Sequence, residues 1–387
     1  MLAKAPRRLL HVFSTFALGG PQRRLVSLVD LLGPGVHHEI VALDGNYDCA
    51  RLIDAPDRVT YHDVRMRKGG FVALGNLYRL RGLFQDRQPD RVITYNWGAI
   101  EAALANRLRP IAPHVHAEDG FGPAEAGDRQ LRRRIWARRL ALSGRHTRIL
   151  VPSRTLERLA VARWGFDPKR VFYVPNGIDC AGLARAAARH APGGDGRAPV
   201  VATIATLRPE KNLKLLITAF AAAGDAVSDL VIAGEGPSMT GLRAAAQRLG
   251  VAHRVHFPGY KRPADILGQA DIFALSSDTE QMPYSVIEAM TCSLPVVSTD
   301  VGDVRRMVAE ENQPYLVAPG DTDGLTDRLV ALAGDTQTRQ AIGRANRARA
   351  ERVFDQSAMG GAWLRVLGWS AAAPAQDPGT PGTGGPA

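Results

Sequence analysis

The chain has 387 residues, 45% of them hydrophobic, and a formal net charge of +11, enough length and apolar content for two domains with their own cores. Its three scattered cysteines, Cys49, Cys180 and Cys292, argue against a disulfide framework. They offer no zinc-ligand spacing, so a reducing compartment and no metal are expected. No stretch of 18 apolar residues is present, and the segment before residue 8 is short for a secretory leader, so the expected location is the cytoplasm.

Apolar, β-rich runs at residues 8–13, 38–43, 91–95, 114–117, 148–151 and 171–174 alternate with helix-compatible stretches. The pattern restarts at 200–205, 230–233, 255–257, 272–275 and 295–298. Near-continuous apolar strands separated by helices predict parallel sheets covered on both faces, an α/β fold. Two such series predict two Rossmann-like domains. The expected limits are a first domain over 1–180, a linker over 181–196 and a second domain over 197–360. Ala191-Pro192-Gly193-Gly194-Asp195-Gly196 marks the linker. An amphipathic helix with Trp363 and Trp369 is expected over 361–371, then a disordered tail over 372–387 rich in Pro, Gly, Ala and Thr.

Charge divides unevenly. Residues 1–180 hold 29 Lys/Arg against 17 Asp/Glu, a net of +12, and residues 181–387 hold 20 against 21, a net of −1. Nucleic acid, anionic lipid or a phosphorylated substrate would each explain the basic half. Low aromatic content and the lack of a reader motif disfavour nucleic acid.

Gly19-Gly20-Pro21 lies between the first strand and a helix-like run. Glycines there permit close backbone approach to a ligand at a helix N-terminus, although a Gly-Gly turn is also common punctuation. His114-Val115-His116-Ala117-Glu118-Asp119-Gly120 gathers His, Glu and Asp just past a strand. Such a cluster positions an acceptor hydroxyl or moves a proton, or is a polar loop with one His satisfied by backbone. Arg129, Arg132, Arg133, Arg134, Arg138, Arg139, Arg145 and Arg148 are interleaved with Leu131, Ile135, Trp136, Leu140 and Leu142. That pattern suits a basic helix lying on an anionic membrane, and equally a core-facing helix with a solvated Arg face.

In the second half, Thr206-Leu207-Arg208-Pro209-Glu210-Lys211-Asn212 follows a strand. Two cations three apart at a strand's carboxyl end can neutralise a diphosphate leaving group, or be ordinary charges at a helix start. Gly234-Glu235-Gly236-Pro237 and Gly259-Tyr260 follow the next two strands. They read as tight turns or as places where backbone or an aromatic ring meets a nucleotide base. Glu280 and Glu288 are eight positions apart, the first in a Pro-containing loop and the second inside a helix-like run. Two carboxylates flanking a helix start suit a sugar joined to a phosphate; alone, the spacing also fits a helix with solvated glutamates. Asp321-Thr322-Asp323 reads as a helix N-cap rather than a metal–nucleotide site.

Taken in order and spacing, Gly19-Gly20, Val174-Pro175-Asn176-Gly177-Ile178-Asp179, Arg208…Lys211-Asn212, Gly234-Glu235-Gly236-Pro237 and Glu280…Glu288-Ala289-Met290 resemble the GT4 family of retaining glycosyltransferases. The resemblance runs over roughly residues 8–370 and implies the GT-B fold: two facing Rossmann-like domains with a cleft between them. It implies that Arg208 and Lys211 bind the diphosphate of a nucleotide-sugar and that Glu288 holds the ribose. It further implies that Glu280 contacts the donor sugar with the backbone of Gln281, Met282 and Pro283. Gly20, with Gly19, would let the first-domain loop approach the phosphates, and Gly234 and Tyr260 complete the donor-binding set. His116 and Asp119 are the catalytic candidates on the acceptor side, with Glu118 as an alternative. The family's usual His-Gly is replaced here by Asp119-Gly120, and its Gly-Phe after the first glutamate by Gln281-Met282.

The expected activity is therefore metal-independent transfer of a hexose-type sugar from a nucleotide-diphosphate sugar, without a cofactor. The acceptor would be a cell-envelope or exopolysaccharide glycan, lipid-linked in the version that explains the basic half, with peripheral contact at the inner membrane face. Two rival readings are a GT-B-fold nucleotide-sugar epimerase and a basic membrane- or nucleic-acid-binding adaptor without catalysis.

Overall fold

A computed structural model of the chain describes residues 5–64, 66, 74–120, 132–188 and 197–369. The expected disordered tail, Arg129 and Leu131 lie outside the described residues.

The first sheet contains β1 (Arg7–Phe13), β2 (Val36–Ala42), β3 (Val59–His62), β4 (Arg91–Tyr95), β5 (His114–Ala117), β6 (Thr147–Val151) and β7 (Val171–Tyr173). The second contains β8 (Val201–Ile204), β9 (Leu230–Ala233), β10 (Val255–His256), β11 (Ile272–Leu275), β12 (Val296–Thr299) and β13 (Leu316–Val317). Their orders are β3-β2-β1-β4-β5-β6-β7 and β10-β9-β8-β11-β12-β13. Every pairing is parallel, as the α/β reading expected.

The connecting helices of the first domain are α1 (Gly20–Leu32), α2 (Leu74–Arg87), α3 (Ile100–Leu108), α4 (Arg132–Leu142) and α5 (Arg154–Ala162). They are followed by α6 (Cys180–Ala188), α7 (Leu213–Ala222), α8 (Met239–Arg248), α9 (Pro263–Leu267), α10 (Tyr284–Thr291) and α11 (Val304–Met307). The chain closes with α12 (Thr322–Gly334), α13 (Thr336–Val353) and α14 (Gln356–Leu367).

Helices on both faces explain the continuous apolar strands. In β1, Leu9 and Phe13 pack with Leu25 of α1 and Trp363 of α14. Leu10 and Val12 point the other way, into a cluster with Leu80 and Phe84 of α2 and Ala102 of α3. Two strands escaped the sequence pattern. β3 is an edge strand with only Val59 buried, and β13 is a two-residue edge strand, so neither carries an apolar run.

Two segments differ from the expected limits. Residues 181–188, read as linker, continue helix α6, whose Cys180 packs with Ile287 and Met290 of α10. Alanine-rich composition favours that helix, and residues 189–196 lie outside the described residues. The last helix begins at Gln356, not 361, capped by Asp355, whose side chain accepts from Ser357 N. It leaves the second domain and packs on the first: Met359, Trp363 and Leu367 join the core under α1. Asp321 caps α12 as the sequence implied, accepting from Gly324 N at 2.8 Å.

Candidate active site

Each sheet changes its winding direction once, between β1 and β4 and between β8 and β11. Open parallel sheets bind ligands outside the carboxyl ends of their strands at that switch point. Loops from both switch points line one cleft of about 840 Å³.

The second-domain wall is assembled from the loops after β8 and β11. Arg208 is exposed on it and makes no ion pair among the described residues. Lys211 Nζ donates to Glu280 Oε1 at 2.5 Å, and Ser277 Oγ donates to the same oxygen at 2.8 Å. The two loops are tied by Ser276 Oγ to the Lys211 carbonyl (3.0 Å), Asp278 N to the Glu210 carbonyl (2.9 Å) and Asn212 Nδ2 to Asp278 (2.8 Å). Asn212 adopts a left-handed conformation, φ 43°, which Asn tolerates better than most residues. Gly234 needs to be glycine. Its φ is 137°, and a Cβ there would stand 1.9 Å from the Ala205 carbonyl oxygen. Gly302 plays the same part behind Glu280, whose carbonyl oxygen would lie 2.4 Å from an added Cβ.

From the first domain come Gly19 and Gly20, at the start of α1, with Asp119 and Gly120 after β5. Two arginines of the first turns of α1 organise the junction. Arg23 donates to Glu288 Oε1 at 2.5 Å, across the cleft. Glu288 is 1% exposed, and its Oε2 has no partner among the described residues. Arg24, fully buried, grips Asp119 at 2.5 Å and reaches Asn176 Oδ1 at 3.2 Å. Burial works against the Arg24 charge, but Asp119 more than restores it. Burial raises the Tyr284 hydroxyl above its ordinary range, and that buried hydroxyl likewise has no partner among the described residues.

The loop after Glu280 is also bonded to the first domain. Ser153 Oγ donates to Gln281 Oε1 (3.1 Å), and Asn176 donates through Nδ2 to the Met282 carbonyl (2.9 Å) and through its backbone N–H to Met282 Sδ (3.1 Å). Gln281 and Met282, where the family pattern has Gly-Phe, thus carry side-chain bonds between the domains. Behind them, Asp303 N donates to the Gln281 carbonyl at 2.9 Å. The Asp303 carboxylate accepts from Arg154 N (2.6 Å), Thr155 N (3.1 Å) and Thr155 Oγ1 (2.8 Å). A carboxylate from one domain therefore caps a helix of the other.

Arg208, Lys211, Glu280, Asp119, Gly19, Gly20, Gly234, Tyr260, Gln281, Met282, Pro283 and Glu288 all line the cleft. His116 does not. It is fully buried in β5, bonded to Thr94 Oγ1 at 2.8 Å and 3.3 Å from Glu118. Glu118 is equally buried and held by Arg138 Nε at 3.0 Å. Of the three acceptor-side candidates, Asp119 alone reaches the cleft. Within the basic run, Arg138 is internal and Arg139 donates to the Trp164 carbonyl, whereas Trp136 is 62% exposed.

Sequence reasoning gave no site role to Asn176, although it quoted the motif holding it, and missed Arg23, Arg24, Tyr284, Asp303 and Arg51, whose guanidinium lies 5.6 Å from the Tyr260 ring centroid. One signal was available. Cations are disfavoured at a helix N-terminus, so adjacent arginines there, with no acidic residue in the first turn, call for carboxylates from elsewhere.

Residues 19–177 match the family described as glycosyl transferase 4-like domain, and residues 185–349 match glycosyl transferases group 1. The chain belongs to the GT4 glycosyltransferases. A D-inositol 3-phosphate glycosyltransferase of Segniliparus rotundus is 33% identical over 48% of this chain and 44% of its own length. An N-acetyl-alpha-D-glucosaminyl L-malate synthase of Bacillus anthracis is 30% identical over 40% of each chain. The match thus spans less than half the length of these two relatives. The structure of Anabaena Alr3699/HepE in complex with UDP-glucose aligns with a TM-score of 0.77 at 19% identity, over 93% of this chain and 99% of that one. WaaG, a glycosyltransferase involved in lipopolysaccharide biosynthesis, aligns with a TM-score of 0.73 at 17% identity, over 93% and 100%. At those identities both likenesses speak to the fold, which is GT-B.

Proposed function

We propose that this chain transfers a sugar from a nucleoside-diphosphate sugar to an acceptor hydroxyl held against the first domain, with retention at the anomeric carbon. The observation that carries the reading is one cleft wall on which Arg208, Lys211, Glu280 and Glu288 converge from two strand ends. The bond from the anomeric carbon to the diphosphate breaks, and the acceptor oxygen forms the new bond on the same face. The acceptor proton leaves with the departing diphosphate. Arg208 and Lys211 neutralise the charge that develops on the leaving group, the role preorganised cations fill most effectively. Lys211 would exchange Glu280 for phosphate, freeing that carboxylate to accept from sugar hydroxyls. Glu288 would hold the ribose, and Tyr260 with Arg51 would border the base. Supply of the positive charge by side chains supports a metal-independent reaction.

A UDP-sugar bound to a structural neighbour supports the nucleotide-sugar class without naming the base or sugar used here. For the acceptor, we favour an envelope glycan presented at an anionic membrane. The described residues contain no helix long and apolar enough to cross a bilayer. Contact would instead fall on α4, where exposed Trp136 and Leu140 lie one turn apart with exposed Arg132 and Arg133 beside them. Three free thiols suit a cytoplasmic setting.

Thermal-shift titration with UDP, GDP and ADP tests the donor claim; no stabilisation by any of them would remove it. Lys211→Ala should lower kcat by about 10²–10³-fold, as loss of one transition-state donor does, with an unchanged circular dichroism spectrum. Retained turnover would overturn the diphosphate assignment. A new nucleotide-sugar formed without acceptor would indicate an epimerase.

A further inference from the structure

We infer that Arg23 and the ribose of a bound nucleotide compete for Glu288, and that Arg23, once displaced, serves the diphosphate. The inference rests on the donor-site reading above and adds a donor-binding residue from the first domain.

Glu288 is the group at issue. Its Oε1 accepts from Arg23 at 2.5 Å, while its Oε2 is buried without a partner among the described residues. A carboxylate that chelates a vicinal diol uses both oxygens. One of the two is therefore committed to a first-domain guanidinium, and the other is already desolvated, which costs free energy until a donor reaches it. A neutral ribose can satisfy both oxygens only by taking Oε1 from Arg23.

The displaced cation then needs a new anion. Arg23 sits in the first turn of α1, where the helix dipole opposes positive charge. Glu288 is the one carboxylate it pairs with among the described residues, and the Tyr284 ring lies 5.5 Å from the guanidinium. Asp119, close by, is already gripped by Arg24. The Arg23 side chain is 34% exposed and lines the cleft beside Gly19 and Gly20. The diphosphate is the anion that arrives with the ribose, and Arg binds phosphate oxygens in a fork. Arg23 would then close the diphosphate from the first-domain side, opposite Arg208 and Lys211. Exchange of one partner for another leaves the junction charged and paired at both stages.

Calorimetric titrations test this with uridine, guanosine and adenosine against their 5′-diphosphates, on the wild type, Arg23→Ala and Arg23→Lys. In Arg23→Ala, the nucleoside should bind about threefold or more tightly, because its competitor is gone. The matching diphosphate should bind about tenfold more weakly, the usual worth of one charge-assisted contact. Arg23→Lys should recover much of the diphosphate preference, which loss of packing alone would not allow. Equal changes in nucleoside and diphosphate affinity would overturn the inference while leaving the donor site standing, as would weaker nucleoside binding in Arg23→Ala. Failure of the wild type to bind any of the three diphosphates would overturn the donor-site reading and this inference with it.

Discussion

The two halves of the molecule share a strand order but treat charge in opposite ways. The first domain buries His11, His38, His114, His116, Glu39, Glu118, Arg24 and Arg138. Among the described residues of the second, the buried charged side chains are Glu288 and Asp303, and both are bonded to the first domain. With His counted neutral those buried charges cancel, two arginines against two glutamates, so they account for none of the first half's +12. The second domain instead buries neutral polar groups such as Asn312 and Asn346. Desolvated ion pairs make poor sources of net stability but fail badly when halved, so the first domain should be the fragile one.

The largest expected effect follows from the Glu118–Arg138 pair. Burial alone would raise the Glu118 pKa, but Arg138 and His116 hold it below its ordinary value. Glu118→Ala removes the carboxylate from this buried pair, at a cost of about 3–5 kcal/mol. All five tryptophans, Trp97, Trp136, Trp164, Trp363 and Trp369, belong to the first domain once α14 is docked there. Tryptophan-detected denaturation should therefore shift strongly, while hydrogen exchange in β8–β13 moves little. Equal losses in both would merge the two domains into one cooperative unit and dissolve the contrast.

Acid should sharpen the same contrast to a smaller degree. Burial, followed by the neighbouring His37 and His116, lowers His38 and His114 to about 3. In the unfolded chain such groups titrate near ~6.5, so the unfolded state takes up protons first. Their stabilising contribution is complete above that pH and is lost progressively as pH falls from there toward 3. The tryptophan-detected midpoint should thus fall between pH 6.5 and 4. A flat profile over that window would show that the buried histidines are already protonated.

The smallest effect concerns the boundary. Asp303→Ala removes the second-domain carboxylate that accepts from the first amides of α5 and should cost about 1 kcal/mol. It should also raise the exchange rate of the Arg154 and Thr155 amides, which donate to that carboxylate. Unchanged exchange there would mean that Ser153, which accepts from Leu156 N at 3.0 Å, suffices as the cap.

The cleft was largely legible from the chain, because strand ends and turn glycines are local features. Arg208, Lys211, Glu280 and Glu288 all follow strands that the apolar pattern reveals. His116 failed for a reason equally local: it lies within β5, where alternate residues turn into the sheet's covered faces, so its neighbours are Thr94 and Glu118 rather than the cleft. The basic run divided the same way. Its helical register sends Arg138 inward and Trp136 outward, a choice that composition alone leaves open.

What the sequence by itself determined is the pair of parallel sheets, their covered faces and the second-domain wall of the cleft, since each depends on periodicity and on residues close in the chain. What only the tertiary structure decided is the traffic between the halves. Arg23 meets Glu288, Asp303 caps α5, and α14 crosses back to the first domain. These contacts join residues far apart in sequence through single charges and one apolar helix face. Such groups carry no periodic signal, and their partners are chosen by where the two sheets come to rest against each other.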